Sequence, residues 1–528
     1  MLNFPRHSGE SDIRVIENQQ VSPAPGVFSD SWADRILILA VVGILFLTLY
    51  PFRIDFHTPG GIRYPFLLGK SLKTAGFYDA FLNVLLFTPF GFGVAAKLRE
   101  RGKSRPFVFL VALIAGACFS YTIEFLQIYI PERDSGWEDV FTNSSGAVVG
   151  FLLFDAFGAF LLPVLSRCER ALATVLAGWR AALMLLVYFG LWFAASIPLQ
   201  REARLSDWNT DVLLTIGNDA NGKNPWAGQV RLVQIWDRSM SSDEARSMFA
   251  AVGANRSAPG SLVSYDFSTS KRLSDTVSLP ANLVWIPKPP AHPETSSLVL
   301  DGSSWLSSRG AVPQLIQDLQ RTNQFAIRIV CAPAKTNGPD ARILSISEPS
   351  GPSNLNVRQE GPALLFWFRN GISMKKSQLS SHVPDVFKSG EIRDILYSYD
   401  GSNLFVYVDG KPQSVRYKLG PGATLATLVG HRVKSAELTG YNYIFYALVF
   451  FPAGALMGIA ARQTALNRIA VYMTFGVVIL IVPALFELIG VLISGRSFTA
   501  MDLPLSIALV IGGVLWINAD RHSTRAAP

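Results

Sequence analysis

Charged side chains are scarce in this chain: Asp, Glu, Lys and Arg make up 16% of the 528 residues, whereas 49% are hydrophobic. That balance excludes a disordered, self-repelling chain, which needs much charge and little apolar surface. Cysteine is nearly absent. Cys118, Cys168 and Cys331 fall in an apolar segment, a loop and a polar block, so no disulfide framework is expected. The six histidines form no pair at metal-ligand spacing, and neither a metal nor another cofactor is expected. No G-x-S-x-G stretch occurs, which removes the nucleophile-elbow hydrolases. "GFGVAA" fits a loose dinucleotide-binding pattern, but it lies inside an apolar segment and follows no strand. The formal net charge of +8 comes from basic residues beside apolar segments, without interleaved aromatics, which argues against nucleic acid.

What is abundant is apolar sequence in blocks of membrane-spanning length. Eight segments, at about 35–52, 78–97, 107–130, 141–165, 178–198, 441–461, 468–493 and 502–519, approach the ~20 residues that a hydrocarbon core requires. A polar leader, 1–34, precedes the first, and no small-residue cleavage pattern follows it, so an uncleaved anchor is expected. Basic residues collect in "KLRERGKSR", "SRCERALATVLAGWR", "ARQTALNR" and the tail 520–528. Alternating eight spans puts all four on one side, the cytoplasmic one by the positive-inside rule. The expectation is therefore a multi-pass protein of a bacterial-type inner membrane, surrounded by membrane lipids, with both termini cytoplasmic. The polar block 199–440 is then extracytoplasmic, reached through a linking helix at 178–198.

Within that block the pattern changes to short alternating runs such as "FAIRIVCAP", "ARILSIS" and "ALLFWFRNG", broken by Gly, Pro, Asn and Asp. Such runs predict a β-sandwich. The pieces "LVSYDF", "LVLDGSSWL", "YSYDGSNLFVYVDGK" and "GQVRLVQIWDRSMSSDEARSMF" resemble a laminin-G/concanavalin-like jelly roll. The last normally closes the domain, yet here it comes first, so a circular permutation is expected in which 205–250 completes a sandwich built from 262–435. The resemblance implies a glycan- or protein-binding module; a structural spacer is the competing reading, because jelly rolls host many functions. A two-carboxylate glycosidase is a third, but Asp266, Asp301, Asp400 and Asp409 all read as turn residues. Trp226, Trp285, Trp305 and Trp367 are sugar-stacking candidates that core packing explains as readily.

The stretch "IEFLQIYIPERDSGWEDVFTNSSG" puts polar residues where an apolar helix ends. With "DAFLNVLLFTPFGFG" before it and "NSSGAVVG" at its end, it resembles the VanZ-like family over about residues 35–165. That resemblance implies a membrane protein associated with glycopeptide antibiotic resistance. Glu124 and Gln127 share one helix face, as do Asp139 and Asn143, while Asp79 and Asn83 begin the second span on the same side. A carboxylate in a span should be paired or line a cavity. Arg133 is the evident counter-charge for Glu124 or Asp139, and its fork also suits a phosphate. Glu124 and Asp139 are candidate catalytic groups, with Arg133, Gln127, Asn143, Asp79 and Asn83 as candidate binding residues. A polar network that only pins the turn is the alternative.

The last spans repeat this unit. Adding 363 without gaps aligns 78–153 with 441–516 and gives 14 identities in 76 pairs, among them Glu124 with Glu487, Arg133 with Arg496 and Asp139 with Asp502. Polar matches at one topological place are hard to obtain from apolar composition alone. The domain 441–519 is thus a degenerate repeat of 78–156, with Asn442, Tyr446, Gly490 and Ser506 where the first copy has Asp79, Asn83, Gln127 and Asn143. The fold expected is a polytopic α-helical membrane protein of about eight transmembrane helices carrying an inserted, extracytoplasmic, circularly permuted all-β jelly-roll sandwich. A receptor for envelope polysaccharide or a lipid-linked glycan, an enzyme acting on such a substrate, and a structural scaffold remain the open functions; polar residues thin out toward the inner side, which argues against a transport path.

Overall fold

In the computed structural model the described residues are 30–50, 52, 54, 77–130, 133, 135–177, 179–250, 260–268, 282–288, 297–374, 380–413, 417–428, 438–463, 468–496, 498 and 502–518. The leader and the tail expected from the sequence lie outside them, apart from the leader's last residues. The chain divides into two compact units, one of Met1–Ile44, Leu68–Thr122 and Gly136–Cys168, the other of Leu45–Leu67, Ile123–Ser135 and Glu169–Pro528.

Five helices open the chain: α1 (Asp30–Leu49), α2 (Phe77–Glu100), α3 (Arg105–Gln127), α4 (Trp137–Val175) and α5 (Trp179–Arg201). The segment "SRCERALATV", expected as a loop, is helical and continues α4 to Val175, so Cys168 sits on a helix. Ala, Leu, Arg and Glu are good helix formers, and neither Gly nor Pro intervenes to stop the helix there. In the first unit α2 and α4 meet through small residues. A Cβ on Gly91 would lie 2.0 Å from the Ala147 carbonyl oxygen, and one on Gly150 would lie 2.1 Å from that of Thr88. Without a hydrophobic drive between helices in lipid, such backbone contact is what holds a span to its neighbour. At the helix ends charge is paired: Lys97 with Asp34 at 2.6 Å, and Arg105 with Asp155.

The second unit holds the β-sandwich. Its strands are β1 (Leu213–Ile216), β2 (Ala227–Trp236), β3 (Val263–Asp266), β4 (Leu283–Ile286), β5 (Leu298–Asp301), β6 (Trp305–Ser308), β7 (Phe325–Pro333), β8 (Ala341–Ser347), β9 (Ser353–Glu360), β10 (Ala363–Phe368), β11 (Ser381–Val383), β12 (Arg393–Tyr399), β13 (Asn403–Val408), β14 (Lys411–Pro412) and β15 (Tyr417–Lys418). Short helices α6 (Ser242–Ala250), α7 (Pro313–Thr322), α8 (Gly371–Met374) and α9 (Pro421–Leu428) join them. One antiparallel sheet runs β11-β10-β9-β8-β1-β6-β4; the other runs β14-β13-β12-β7-β2-β3, with β5 also on β2 and β15 on β13. The early segment therefore supplies interior strands to both sheets: β1 between β6 and β8, and β2 between β7 and β3.

Most strands are buried along most of their length, β8, β10 and β12 among them, and the two sheets interlock through aromatics. Phe366 of one sheet stacks on Tyr397 of the other with ring centroids 4.1 Å apart. Trp226 is wholly buried in this core, its indole Nε1 donating to Gln359, so it is no sugar platform. Three of the turn carboxylates, Asp266, Asp301 and Asp400, are used locally as the sequence suggested, while Asp409 reaches across to the neighbouring strand. Asp266 accepts the Ser268 amide, Asp301 that of Ser303, Asp400 those of Ser402 and Asn403, and Asp409 that of Asp394.

Helix α6 opens with a capping box. The Ser241 amide donates to Glu244 at 2.9 Å, and the Glu244 amide donates to the Ser241 hydroxyl at 3.2 Å. The Ser241 N–H, with Arg238 beside it, holds the Glu244 carboxyl below its ordinary value. A depressed carboxylate pKa stabilises the fold above the unfolded value of ~4.3, and that gain disappears as pH falls through the folded value. Glu244→Ala should cost a few tenths to about 1 kcal/mol at neutral pH, limited by solvent screening at this surface site. Amide-exchange protection of α6 should show the gap between the two proteins closing below about pH 4. A gap that stays constant with pH would mean the box contributes nothing.

Three further helices close the chain: α10 (Leu438–Gln463), α11 (Arg468–Ser494) and α12 (Asp502–Asn518). Among the described residues six helices, α1 to α5 and α10, are long and apolar enough to cross a membrane, while Val478–Ser494 and Asp502–Asn518 are shorter apolar helices. Large apolar side chains such as Phe160, Leu186, Leu191 and Leu492 stand exposed along them, which suits a lipid surround. The sandwich is tied to the helix ends. Arg204 donates to the Ile493 carbonyl at 3.1 Å, Asn323 to that of Ser494 and Gln324 to that of Gly495 at 3.2 Å. Gly401, at φ +91°, comes so close that a Cβ would lie 2.8 Å from the Arg496 Cα.

Candidate functional site

The polar residues of the two repeat copies can be compared position by position. In the first unit, Asp139 opens α4 and accepts from Asn83 of α2 at 2.7 Å. In the second unit its counterpart Asp502 opens α12 and accepts from Tyr446 of α10, the counterpart of Asn83, at 3.1 Å. One carboxylate is thus held from one position of the neighbouring helix in both copies. The glycine contacts repeat as well. Gly91 meets the Ala147 carbonyl and Gly454 that of Val510, both at 2.0 Å from an added Cβ; Gly150 and Gly513 meet those of Thr88 and Phe451 at 2.1 and 2.2 Å. Each pair is separated by 363, and so are the starts of α3 and α11, Arg105 and Arg468. A shared backbone-to-backbone fit at shared positions is stronger support for duplication than the identities themselves.

The fourth helix of the repeat escaped sequence reasoning. In the first unit α1 packs on α2, where a Cβ on Gly93 would lie 2.9 Å from that of Leu37. In the second, α5 packs on α10 through Leu185, Phe189, Phe445, Val449 and Phe450. Chain order is α1-α2-α3-α4 in one copy and α5-α10-α11-α12 in the other, so the sandwich is inserted where the first copy has its α1–α2 connection. The alignment starts after that connection, which is why the sequence showed three helices.

The arginines behave differently. Arg133 donates from Nε to the Tyr50 carbonyl at 3.0 Å and from Nη2 to that of Leu47 at 2.8 Å, and Gln127 donates to that of Thr48 at 2.8 Å. A cation on the last carbonyls of a helix is favourable, so Arg133 caps α1, where the sequence had offered it to Glu124 or Asp139. Arg496 instead pairs with buried Glu487. The reason is the residue at the next counterpart: a Cβ on Gly490, where the first copy has Gln127, would lie 2.5 Å from Arg496 Nη2. Losing that side chain makes room for the guanidinium.

Of the remaining candidates, Glu124 is buried on α3, Asp79 is exposed on the first turn of α2, and Asn143 is buried on α4 with its amide nitrogen donating to Ser120 at 2.8 Å. Among the described residues no group of three His, Cys, Asp or Glu is placed to hold a metal. Sequence reasoning missed Lys418. It reaches from β15 to Asp502, while Asn442 donates to its carbonyl at 2.9 Å. A lone lysine in a polar block carries no signal of a partner 84 residues away.

Residues 36–162 match the model of the VanZ/LLP1 family. They form a VanZ-like domain. It contains Asp79, Asn83, Glu124, Gln127, Arg133, Asp139 and Asn143, and it ends short of the sandwich and of the second copy. Neither a curated protein nor a solved structure matches the chain.

Proposed function

We propose that this membrane protein engages an envelope glycan or glycolipid, with the sandwich as capturing module and the polar end of the VanZ-like domain receiving the lipid-proximal part. The reading keeps the cytoplasmic termini and extracytoplasmic sandwich that the basic loops favour. It places the protein with the glycopeptide resistance that VanZ-like proteins are associated with. The observation that carries it is membership of one compact unit: the segment Ile123–Ser135, with Glu124, Gln127 and Arg133, belongs to the unit that contains the sandwich. The link can be followed. Arg133 holds the Tyr50 carbonyl, the Tyr50 ring meets Tyr443 edge-on at 6.0 Å, and α10 continues to Asn442, which grips Lys418 and Gly422 of the sandwich.

Full-length protein in lipid nanodiscs should bind an envelope glycan or lipid-linked glycan selectively, and Glu124→Gln should weaken that binding about tenfold or more by removing a buried charge. Selective binding that Glu124→Gln leaves untouched would put recognition in the sandwich alone. A covalent change in the glycolipid that Glu124→Gln abolishes would make the protein an enzyme. Absence of binding to any such polymer overturns the proposal.

A further inference from the structure

The second copy carries an occupant of its own. Lys418 presents its ammonium to Asp502, Tyr446 donates to the same carboxylate, and Asn442 holds the Lys418 carbonyl. Subtracting 363, the counterparts of Asp502, Tyr446 and Asn442 are Asp139, Asn83 and Asp79, the last standing where Asn442 holds the Lys418 backbone carbonyl rather than its ammonium. In the first copy Asp139 keeps the equivalent bond from Asn83, and the position of Asn442 becomes a second carboxylate, Asp79. One turn along α4, the amide oxygen of buried Asn143 has no hydrogen-bond partner among the described residues. A group that enters here meets acceptors and negative charge, and the related site shows what such a setting receives.

We infer that the VanZ-like copy binds a primary ammonium group, supplied either by a lipid headgroup or by a soluble amine, between Asp139 and Asp79. The inference rests on reading the VanZ-like copy as the ligand-holding half. A primary ammonium offers three N–H donors and one positive charge, which answers the Asp139 carboxylate and the second carboxylate that Asp79 brings to the first turn of α2. A trimethylated headgroup carries the same charge without N–H donors, so it separates hydrogen bonding from simple attraction. Lys418 is then a tethered surrogate of this ligand, and it fastens the sandwich to the eroded copy.

The test uses the full chain in nanodiscs of phosphatidylglycerol mixed with either phosphatidylethanolamine or phosphatidylcholine, with lipid retention read by native mass spectrometry. Ethanolamine is titrated separately into the phosphatidylcholine discs. Wild type should retain phosphatidylethanolamine over phosphatidylcholine by about tenfold, or bind ethanolamine if the source is soluble, as expected for a charge-assisted hydrogen-bonded pair. Asp139→Asn should abolish the preference. Lys418→Met, which vacates Asp502, should add a second retained amine. Equal retention of both lipids without ethanolamine binding overturns the inference, as does a preference that Asp139→Asn leaves intact. If Lys418→Met does not fold, the Asp139→Asn comparison decides alone; if it folds and gains no amine, the surrogate role of Lys418 is lost. Glycan binding that still depends on Glu124 in a protein with no amine preference would leave the proposed function standing and remove only this inference.

Discussion

Arg496→Met should cost about 3–5 kcal/mol and deplete folded protein, because it strands a carboxylate inside the second unit. Glu487 is 1% exposed; its Oε2 takes Arg496, and its Oε1 has no partner among the described residues. Removing the guanidinium leaves a buried carboxylate without its counter-charge. Against a net stability of about 5–15 kcal/mol for a folded protein, that is a large fraction. The double variant Glu487→Leu with Arg496→Met should recover most of the loss, since replacing a buried pair by apolar groups of similar volume is often neutral. Thermal unfolding of the detergent-solubilised chain measures both. A single variant that unfolds within a degree of wild type would show that Glu487 is not held as a charge. Gly490→Gln, which restores the residue of the first copy, should also weaken the pair by pressing on the guanidinium.

Next in size is the effect of a single methyl group between helices. Gly454→Ala puts a Cβ 2.0 Å from the backbone oxygen of Val510, and Gly513→Ala puts one 2.2 Å from that of Phe451. Neither obstacle is the free end of a side chain, so α10 and α12 must separate along their contact. Overpacking of this kind costs about 1–3 kcal/mol, and a rigid backbone obstacle puts both substitutions at the upper end. The repeat predicts the same for Gly91→Ala and Gly150→Ala in the VanZ-like domain. Gly190 and Gly476 supply the control, since an added Cβ at either meets nothing within 4 Å. Alanine there should be neutral or stabilise by up to about 1 kcal/mol through higher helix propensity. Unfolding temperatures that fail to separate the two groups of glycines would contradict the packing described.

Much of the architecture was legible in the sequence because the forces that set it are local or periodic. Runs of apolar residues demand helices in lipid, and two-residue alternation between Gly, Asn and Asp turns demands strands. Constant spacing of Glu, Arg and Asp offered a duplication, which the matching glycine contacts support. The turn roles of Asp266, Asp301 and Asp400 followed from their neighbours. The loop at 166–175 was misjudged, because charge there suggested water while helix propensity carried α4 onward. What the sequence by itself determined is thus the class of each segment, helix in lipid or strand in a sandwich. Only the tertiary structure decided which partners the two copies use: Arg133 on the end of α1, Arg496 on Glu487, and Lys418 on Asp502. Charges and backbone carbonyls attract at short range without regard to separation along the chain, so the space left by one missing side chain at Gly490, and the arrival of a strand 84 residues before Asp502, settled the chemistry of the second site.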